Sequence, residues 1–474
     1  MTALGETVAK SVGSTVFVST VGRVFTQVLG VATILVATRF VTLEEFGFLA
    51  LGQAVTIIIG SLLYTGLHQH VMRTKHIAEE NATLFTAQCL LGLAGTMLMV
   101  AVGLLQPTGS LAQAVFLALA PVSVLQGPTA HYEAFLIREG RIRTAVLTTA
   151  AAELLGFVSM CVAIIYGAGV YALIFGRLIA SAALLISKAW FAAIWPGLAM
   201  RGGVARRAFS SARPLYITTL AHMASTYGGD LLLGFFQSPT AVGAYRAASR
   251  VTATLSEVIA KPVITISWSN LARSEREGRI DAMGAAWLDQ AKFLTLAAWP
   301  ALAALSLLSA PVVDFILDES WGEAAPVIGV LAIAIAVGIL DGLSGPALLC
   351  TQKDALFTRL TFVWAGIAVG SLLVTAQFGP IAVAYGLLVA RLIMMPITLS
   401  FVLRALNIPL SAFARALAPS VIVTLACCLA VASLQSATDY DLRGLLITAG
   451  AGAALWITIF LALLTLRVVQ LPRP

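Results

Sequence analysis

Long apolar stretches dominate the chain, and short clusters of charged residues, proline or glycine separate them. A stretch of about 17 to 25 apolar residues is long enough to cross a bilayer as an α-helix. About fourteen such stretches occur, at 16–38, 46–68, 84–105, 111–131, 145–166, 169–194, 214–236, 243–268, 290–312, 325–347, 360–378, 381–403, 415–435 and 445–466. The pattern predicts an all-α polytopic membrane protein with about 14 transmembrane helices.

Charged residues are sparse and are placed mainly between the apolar stretches. Of the 474 residues, 59% are hydrophobic and 11% are charged, which is far from the composition of a soluble domain. If the amino terminus is cytoplasmic, about 20 basic residues fall on the cytoplasmic side and two, Arg39 and Arg443, on the other. The positive-inside rule therefore predicts that both termini are cytoplasmic. The basic excess reports this topology, and we expect no nucleic-acid partner.

The amino-terminal apolar stretch and the cysteines indicate neither a cleaved leader nor a metal site. The stretch at 16–38 is too long for a signal-peptide core, so we expect it to remain as a signal anchor. The five cysteines lie in apolar stretches without a C-x-x-C pair. We therefore expect no disulfide framework, no thiolate metal site and no cofactor.

An internal repeat divides the predicted spans. The turn from Arg39 to Gly47 and the turn from Phe235 to Gly243 have the same layout, because in both an apolar helix ends and a glycine with a nearby aromatic opens the next helix. Six spans separate the two copies, which is typical of parallel repeats. We predict six-helix lobes at 1–200 and 201–408 around a central cavity, with two additional transmembrane helices at 409–474.

The eighth predicted span carries an unusual stripe of ionisable residues. On a helix, the spacing of Arg246, Arg250, Glu257 and Lys261 places all four within an arc of about 60°. A charge in the centre of a bilayer costs about 3 kcal/mol or more, so a stripe of this kind is typical of a helix that faces a wet cavity. The stripe predicts a transporter with a mostly basic interior.

Further ionisable residues lie within other predicted spans. We predict substrate-binding roles for the basic residues Arg23, Arg246, Arg250, Arg177, Arg391 and Lys261, and coupling or ion-pairing roles for Asp230, Glu257 and His222. Ion pairs between helices are the structural alternative, with Asp230 against Arg246 or Glu257 against Lys261. Lys261 could also extend towards the cytoplasmic headgroups.

The choice of arginine indicates an anionic cargo, because a guanidinium keeps its charge and directs two N–H donors at one phosphate group. Enzymatic alternatives lack their motifs. The chain contains no P-loop, no H-E-x-x-H and no G-x-S-x-G sequence.

Several short segments, in this order and spacing, resemble a known family. They are Phe46–Ala50, Arg138–Arg141, Gly229–Gly234 and Val242–Ala248. The chain resembles the Wzx-like oligosaccharide flippases of the multidrug/oligosaccharidyl-lipid/polysaccharide exporter superfamily along essentially its whole length.

This resemblance implies a flippase that moves undecaprenyl-diphosphate-linked oligosaccharide repeat units from the cytoplasmic to the periplasmic leaflet by alternating access. The process served would be exopolysaccharide, capsule or O-antigen assembly at the bacterial inner membrane. In related peptidoglycan-precursor flippases, basic residues on spans one and eight bind the diphosphate, and Arg23 and Arg246 or Arg250 occupy comparable positions here. The expected partners of this monomer are the lipid-linked oligosaccharide, membrane lipids, and a polysaccharide polymerase and co-polymerase.

Two other functions remain open at this stage. A cation-coupled multidrug or small-molecule antiporter of the same superfamily would rely on acidic residues in the amino-terminal lobe, where only Glu153 is available. A membrane glycan polymerase or ligase would need a long extracytoplasmic loop with catalytic groups, and the predicted loops are short.

Overall fold

Helices form every regular element that a computed structural model of the chain describes, namely residues 21–22, 25–317, 319–435 and 442–465. The prediction of an all-α polytopic membrane protein is confirmed. The residues group into two compact units, Met1–Gly243 and Ala244–Pro474, called here the N-terminal unit and the C-terminal unit. The division falls inside one long helix, α9. The lobe boundaries expected from the repeat, after residues 200 and 408, stay a prediction.

The N-terminal unit consists of helices joined by turns. They are α1 (Phe25–Ala37), α2 (Leu43–Leu63), α3 (Leu67–Arg73), α4 (Ile77–Leu104), α5 (Leu111–Arg138), α6 (Ile142–Ile165), α7 (Val170–Ala192), α8 (Gly202–Phe236) and the first turn of α9 (Pro239–Arg276). Local chemistry fixes where α2 begins. The Thr42 hydroxyl accepts from the amide of Glu45 at 3.3 Å, and the Glu45 carboxylate accepts from the amide of Thr42 at 2.9 Å. This capping box starts α2 within the turn that the repeat analysis singled out.

The C-terminal unit contains two interrupted helices. After the body of α9 follow α10 (Ile280–Leu307), α11 (Ser309–Val312), α12 (Ala324–Gly338), α13 (Asp341–Leu349), α14 (Asp354–Thr375), α15 (Pro380–Ala405), α16 (Leu410–Gln435) and α17 (Leu442–Thr465). A bend of 81° separates α10 from the short helix after it, and a break at residues 339–340 separates α12 from α13. The core of this unit packs around the fully buried Trp287.

Each predicted apolar stretch overlaps one of these helices, but several helix ends lie elsewhere. α8 begins at Gly202, twelve residues before the predicted start, α5 runs on to Arg138 rather than ending at 131, and α9 reaches Arg276 rather than 268. A polar residue ends an apolar stretch but does not end the helix that contains it. The backbone hydrogen bonds of the helix can continue beyond the apolar region into the part that water surrounds. By length and composition alone, nine helices in the described ranges could cross a membrane, or ten if the bent pair is one span.

The two turns of the predicted repeat contact each other inside the N-terminal unit. A methyl group added to Gly47 would lie 1.7 Å from the carbonyl oxygen of Pro239, and one added to Gly243 would lie 2.2 Å from the carbonyl oxygen of Leu43. Pro239 precedes Gly243 by four residues, and Leu43 precedes Gly47 by four. The contact is therefore reciprocal, and only glycine allows the first turns of α2 and α9 to approach so closely.

Candidate functional site

The charged stripe of the eighth span lies on a single continuous helix. α9 runs for 38 residues from Pro239 to Arg276, so its four ionisable residues keep the helical phase that the sequence predicted. Arg246, Arg250 and Glu257 are half-buried and Lys261 is exposed. Three of these residues are basic and one is acidic, which leaves an excess of positive charge along one side of the helix.

The carboxyl-terminal half of the stripe contains an ion pair. Lys261 donates from Nζ to Oε2 of Glu257 over 2.6 Å, one turn apart on α9, with side chains 52% and 35% exposed. This is the pairing that the sequence left open as the structural alternative. An exposed pair of this kind contributes little to stability, about 0.3–0.5 kcal/mol on a helix surface.

Arg246 and Arg250 lie one turn apart towards the amino-terminal end of the stripe. Ser249 and Thr254 donate to the backbone carbonyls of these two arginines, over 3.0 and 2.8 Å, so both hydroxyls are satisfied within the helix. The two arginines are the basic side chains of this stretch, and both are half-buried.

Arg391, on α15, lies beside the break between α12 and α13. Its Nη1 is 3.6 Å from Oδ2 of Asp341, the first residue of α13, and its guanidinium stands 5.1 Å from the centre of the Trp364 ring. Gly338, the last residue of α12, leaves the space that the guanidinium occupies, because a methyl group there would lie 1.8 Å from Nη1. The arginine thus combines an ion pair with a cation–π contact at an interrupted helix.

Two tryptophans of α10 hold the two sides of this break. Trp299 donates from its indole nitrogen to the carbonyl of Ala336 in α12 at 2.9 Å, and Trp287 donates to the carbonyl of Leu343 in α13 at 3.2 Å. Interrupted helices in membrane proteins need such partners for backbone groups that a regular helix would satisfy. The break is therefore a built feature of the C-terminal unit.

Two further basic residues of the predicted spans are paired with carboxylates inside the N-terminal unit. Arg177 donates from Nη1 to Oε1 of Glu153 over 3.2 Å, and Lys188 donates from Nζ to Oε2 of Glu133. Both basic residues lie on α7, while Glu153 lies on α6 and Glu133 on α5. The sequence analysis named Glu153 as the available acidic residue of the amino-terminal lobe, but it missed Glu133.

Glu133 was missed because the fourth apolar stretch was taken to end at residue 131. Since α5 continues to Arg138, this carboxylate belongs to the same helix and lies beside Lys188. The signal was available in the sequence, because Glu133 falls two residues beyond the predicted end in a stretch without proline or glycine.

His68, near these pairs, and Asp230, on α8, are two further buried titratable residues. His68 is 6% exposed and its ring lies 5.6 Å from that of Tyr64. Asp230 is fully buried at the end of α8, whereas His222, two turns earlier on the same helix, is exposed. Of the two coupling candidates on this helix, one is therefore buried and the other is open.

The loop motif Arg138–Arg141 fastens the ends of two other helices. Arg138 donates to the carbonyls of Val71 and Thr74 at 3.0 and 2.7 Å, where α3 ends, and Arg141 donates to the carbonyl of Phe191 at 2.6 Å, near the end of α7. Cations at helix carboxyl termini satisfy carbonyls that lack partners within the helix. These two arginines act in the architecture. Arg23, the remaining predicted substrate contact, lies outside the described residues.

Comparison with known proteins places this arrangement in context. The family model described as "Polysaccharide biosynthesis protein" matches residues 36–326, more than half of the chain. The teichuronic acid biosynthesis protein TuaB of Bacillus subtilis (strain 168) is 26% identical over 175 residues, which are 34% of this chain and 35% of the relative. The match thus spans about a third of that relative's length.

Solved structures share the fold at low sequence identity. The lipid II flippase MurJ in an inward closed conformation aligns with a TM-score of 0.78 and 14% identity, over 96% of this chain and 100% of that one. An inward-facing multidrug resistance MATE family transporter of the MOP superfamily aligns with a TM-score of 0.63 and 14% identity, over 81% of this chain and 95% of that one. These likenesses show that the chain shares the fold of these proteins.

Proposed function

The chain belongs to the family of polysaccharide biosynthesis proteins and has the fold of MOP-superfamily transporters, and from this premise we propose that it is a lipid-linked oligosaccharide flippase. Its substrate is an oligosaccharide repeat unit on undecaprenyl diphosphate, which it moves from the cytoplasmic to the periplasmic leaflet by alternating access. The observation that carries this proposal is the basic stripe on α9, in which Arg246 and Arg250 lie one turn apart on a continuous helix.

A diphosphate is the ligand that suits two arginines one turn apart. Each guanidinium presents parallel N–H donors, so two of them can hold two phosphate groups through charge-assisted hydrogen bonds. Residues one turn apart have side chains about 5–6 Å apart at Cβ, which is a suitable spacing for neighbouring phosphates. Lysine would supply the charge without the fork, so the arginines favour phosphate over a simple anion.

The other predicted contacts take different places in this scheme. A carboxylate lies beside each of three predicted contacts, Arg177, Lys261 and Arg391. We therefore propose that these residues contact the ligand only when it displaces the carboxylate or binds next to the ion pair. Arg23 is proposed as a further diphosphate contact. Asp230, Glu257 and His222 remain the candidates for coupling or for pairing with arginine.

The cell biology follows from the same proposal. We place the protein in the bacterial inner membrane with both termini in the cytoplasm, where the basic loops belong. Its partners are then the lipid-linked oligosaccharide, the surrounding lipids, and the polymerase and co-polymerase that act on the delivered repeat units. The two lobes and two additional helices predicted from the repeat are retained as the working division of the chain.

Loss of both stripe arginines provides the direct test. The double variant Arg246→Ala, Arg250→Ala should abolish polymer export in cells and flipping of a labelled diphosphate-linked glycolipid in proteoliposomes. We expect a loss of at least about 100-fold, because removing one partner of a charge-assisted contact costs about 1.5–3 kcal/mol and two contacts are lost. Membrane levels of the protein should stay unchanged.

Arg273→Ala is the matched control, because Arg273 lies on the same helix but about 180° from Arg246. This variant should export polymer normally. Full export by the double variant, at wild-type protein levels, would eliminate the diphosphate contact and with it the proposed role of the stripe.

A further inference from the structure

Lys188 has an unusual environment in the N-terminal unit. Its side chain is 1% exposed, and it is the only lysine or arginine that is buried in the part of the chain that the structure describes. Lysine is almost never buried to this degree unless it is paired. The position therefore demands a specific explanation.

One carboxylate contacts the Lys188 ammonium, and a second acts on it from farther away. Its Nζ donates to Oε2 of Glu133, whose side chain is 24% exposed, and it also lies within electrostatic range of Glu153. Glu153 is shared, because it accepts from Arg177 over 3.2 Å. Glu133 is thus the carboxylate that depends on Lys188 for its neutralisation.

Two neutral side chains, an imidazole and a phenol, complete the surroundings of this ion pair. His68 is 6% exposed, and neither its Nδ1 nor its Nε2 has a hydrogen-bond partner among the described residues. Lys188 and Glu133 are both within electrostatic range of this imidazole, and Tyr64 lies against its ring. A carboxylate, an imidazole lone pair and a phenol oxygen are the groups that bind small cations.

We propose that the N-terminal unit contains a monovalent-cation site whose permanent occupant is the ammonium of Lys188. Three helices and one turn form it, with Tyr64 from the turn after α2, His68 from α3, Glu133 from α5 and Lys188 from α7. Because this cation is covalently part of the chain, its occupancy of the site does not depend on an ion concentration in solution. It also cannot exchange with dissolved ions. The site therefore carries no ion from one side of the membrane to the other.

Because its cation belongs to the chain, the site has no exchangeable ion on which a gradient could act. Removing either member of a buried ion pair leaves the other charge without that partner, which is strongly unfavourable. If the proposed flippase function holds, the energy for transport must then enter elsewhere than at this site. The assignment of the site itself does not depend on the identity of the transported lipid.

Removal of the tethered ammonium should convert the site into one that takes a cation from solution. Thermal unfolding of the purified full chain is measured in detergent with sodium, potassium, methylammonium or choline chloride at equal ionic strength. The wild type should unfold at the same temperature in all four salts. Lys188→Ala should unfold several degrees lower in choline, which is too large for the site, and should regain stability in methylammonium or an alkali cation with a saturable dependence.

Two controls separate this effect from a general effect of salt. In Lys188→Ala, Glu133→Gln the carboxylate that attracts the cation is gone, so the response should disappear. Lys261→Ala breaks an ion pair whose lysine is 52% exposed, and water rather than a small cation should replace the lost ammonium there. If Lys188→Ala is recovered folded only from buffers that contain a small cation, the proposal is also supported.

Three results would overturn the proposal. The first is a folded Lys188→Ala protein that responds to none of the cations, and the second is failure to recover it in any of them. The third is a wild-type protein whose unfolding temperature rises specifically with sodium and loses that rise in Glu133→Gln. None of these measurements uses a substrate, so they remain informative if the stripe arginines prove to have no part in export.

Discussion

Gly338 shows how one missing side chain positions a charged one. The Arg391 guanidinium occupies the space where any other residue at 338 would place its Cβ, and from there it reaches Asp341 and the Trp364 ring. Arg391 was chosen from the sequence because it is basic and within a span. The glycine and the carboxylate that define its setting are 53 and 50 residues away in sequence, so no local pattern could connect them.

Gly338→Ala should therefore destabilise the C-terminal unit by displacing Arg391. The methyl group would lie 1.8 Å from Nη1, and overpacking of this kind costs about 1–3 kcal/mol. Thermal unfolding measures the loss. Gly366→Ala on α14 is the control, because nothing lies within 4 Å of the position its methyl group would take.

A double-mutant cycle tests the cause. If the clash with Arg391 is responsible, Gly338→Ala should add little to the effect of Arg391→Ala, because the guanidinium is already absent. Equal stability of Gly338→Ala and Gly366→Ala would show that the guanidinium can move away at no cost.

The sequence shows which charged residues lie within the spans, but it does not show which residues they pair with. Ion pairing of Glu257 with Lys261 could be foreseen as an alternative because both lie on one helix at a spacing of four. The pairing of Lys188 with Glu133 joins α7 to α5, and periodicity within a helix carries no information on which neighbour it meets. The same reason hid the two carbonyl contacts of Arg138 at the end of α3.

At the scale of the elements, the first turns of α2 and α9 cross through two glycines. Gly47 and Gly243 were noted in the sequence as equivalent positions of a repeat, and the structure shows that they lie in one reciprocal contact. Because glycine has no side chain, the two backbones come close together at this contact and few side chains interlock there. Such a contact can be closely packed and still separate without loss of specific side-chain bonds.

Gly47→Ala should disrupt this crossing. Its methyl group would lie 1.7 Å from a backbone carbonyl oxygen, which cannot rotate away as a flexible side chain can, so the two helices must shift. We expect a loss of stability of about 1–3 kcal/mol or more, measured by thermal unfolding. Gly203→Ala in α8 should have little effect, because its nearest neighbour would be an arginine tip at 3.8 Å.

Gly243→Ala should behave like Gly47→Ala, and the double variant should lose less than the two single losses combined. Once one methyl group has separated the helices, the second finds space already made. Strict additivity would argue against a single reciprocal contact.

Helix existence was predictable for these elements, whereas helix ends were not. Apolar runs show where hydrocarbon surrounds a helix, and α8 and α9 extend well beyond it through arginine-rich turns. The capping box of Thr42 and Glu45 could have fixed the start of α2 three residues earlier than the predicted 46, because both residues stand at the required spacing.

At the scale of the whole molecule, the proposed function raises the question of the driving force. A diphosphate carries about two negative charges, and a membrane potential acts on each with about 2.3 kcal/mol per 100 mV. Export from a negative cytoplasm could thus gain up to about 4 to 5 kcal/mol without a coupled ion. Any arginine that moved with the headgroup would lower the transported charge and this gain.

Flipping should therefore respond to the membrane potential rather than to an ion gradient. In proteoliposomes with a labelled diphosphate-linked glycolipid, a potassium diffusion potential set with valinomycin should accelerate transfer away from the negative side and slow it when the sign is reversed. A pH gradient or a sodium gradient applied at zero potential should leave the rate unchanged. The direction follows from the negative charge of the headgroup, since a cation-coupled exporter would follow the gradient of its ion instead. Rates that track the pH or sodium gradient and ignore the potential would contradict this prediction, and would direct attention to Asp230, Glu257 and His222 as the residues that carry the coupled ion.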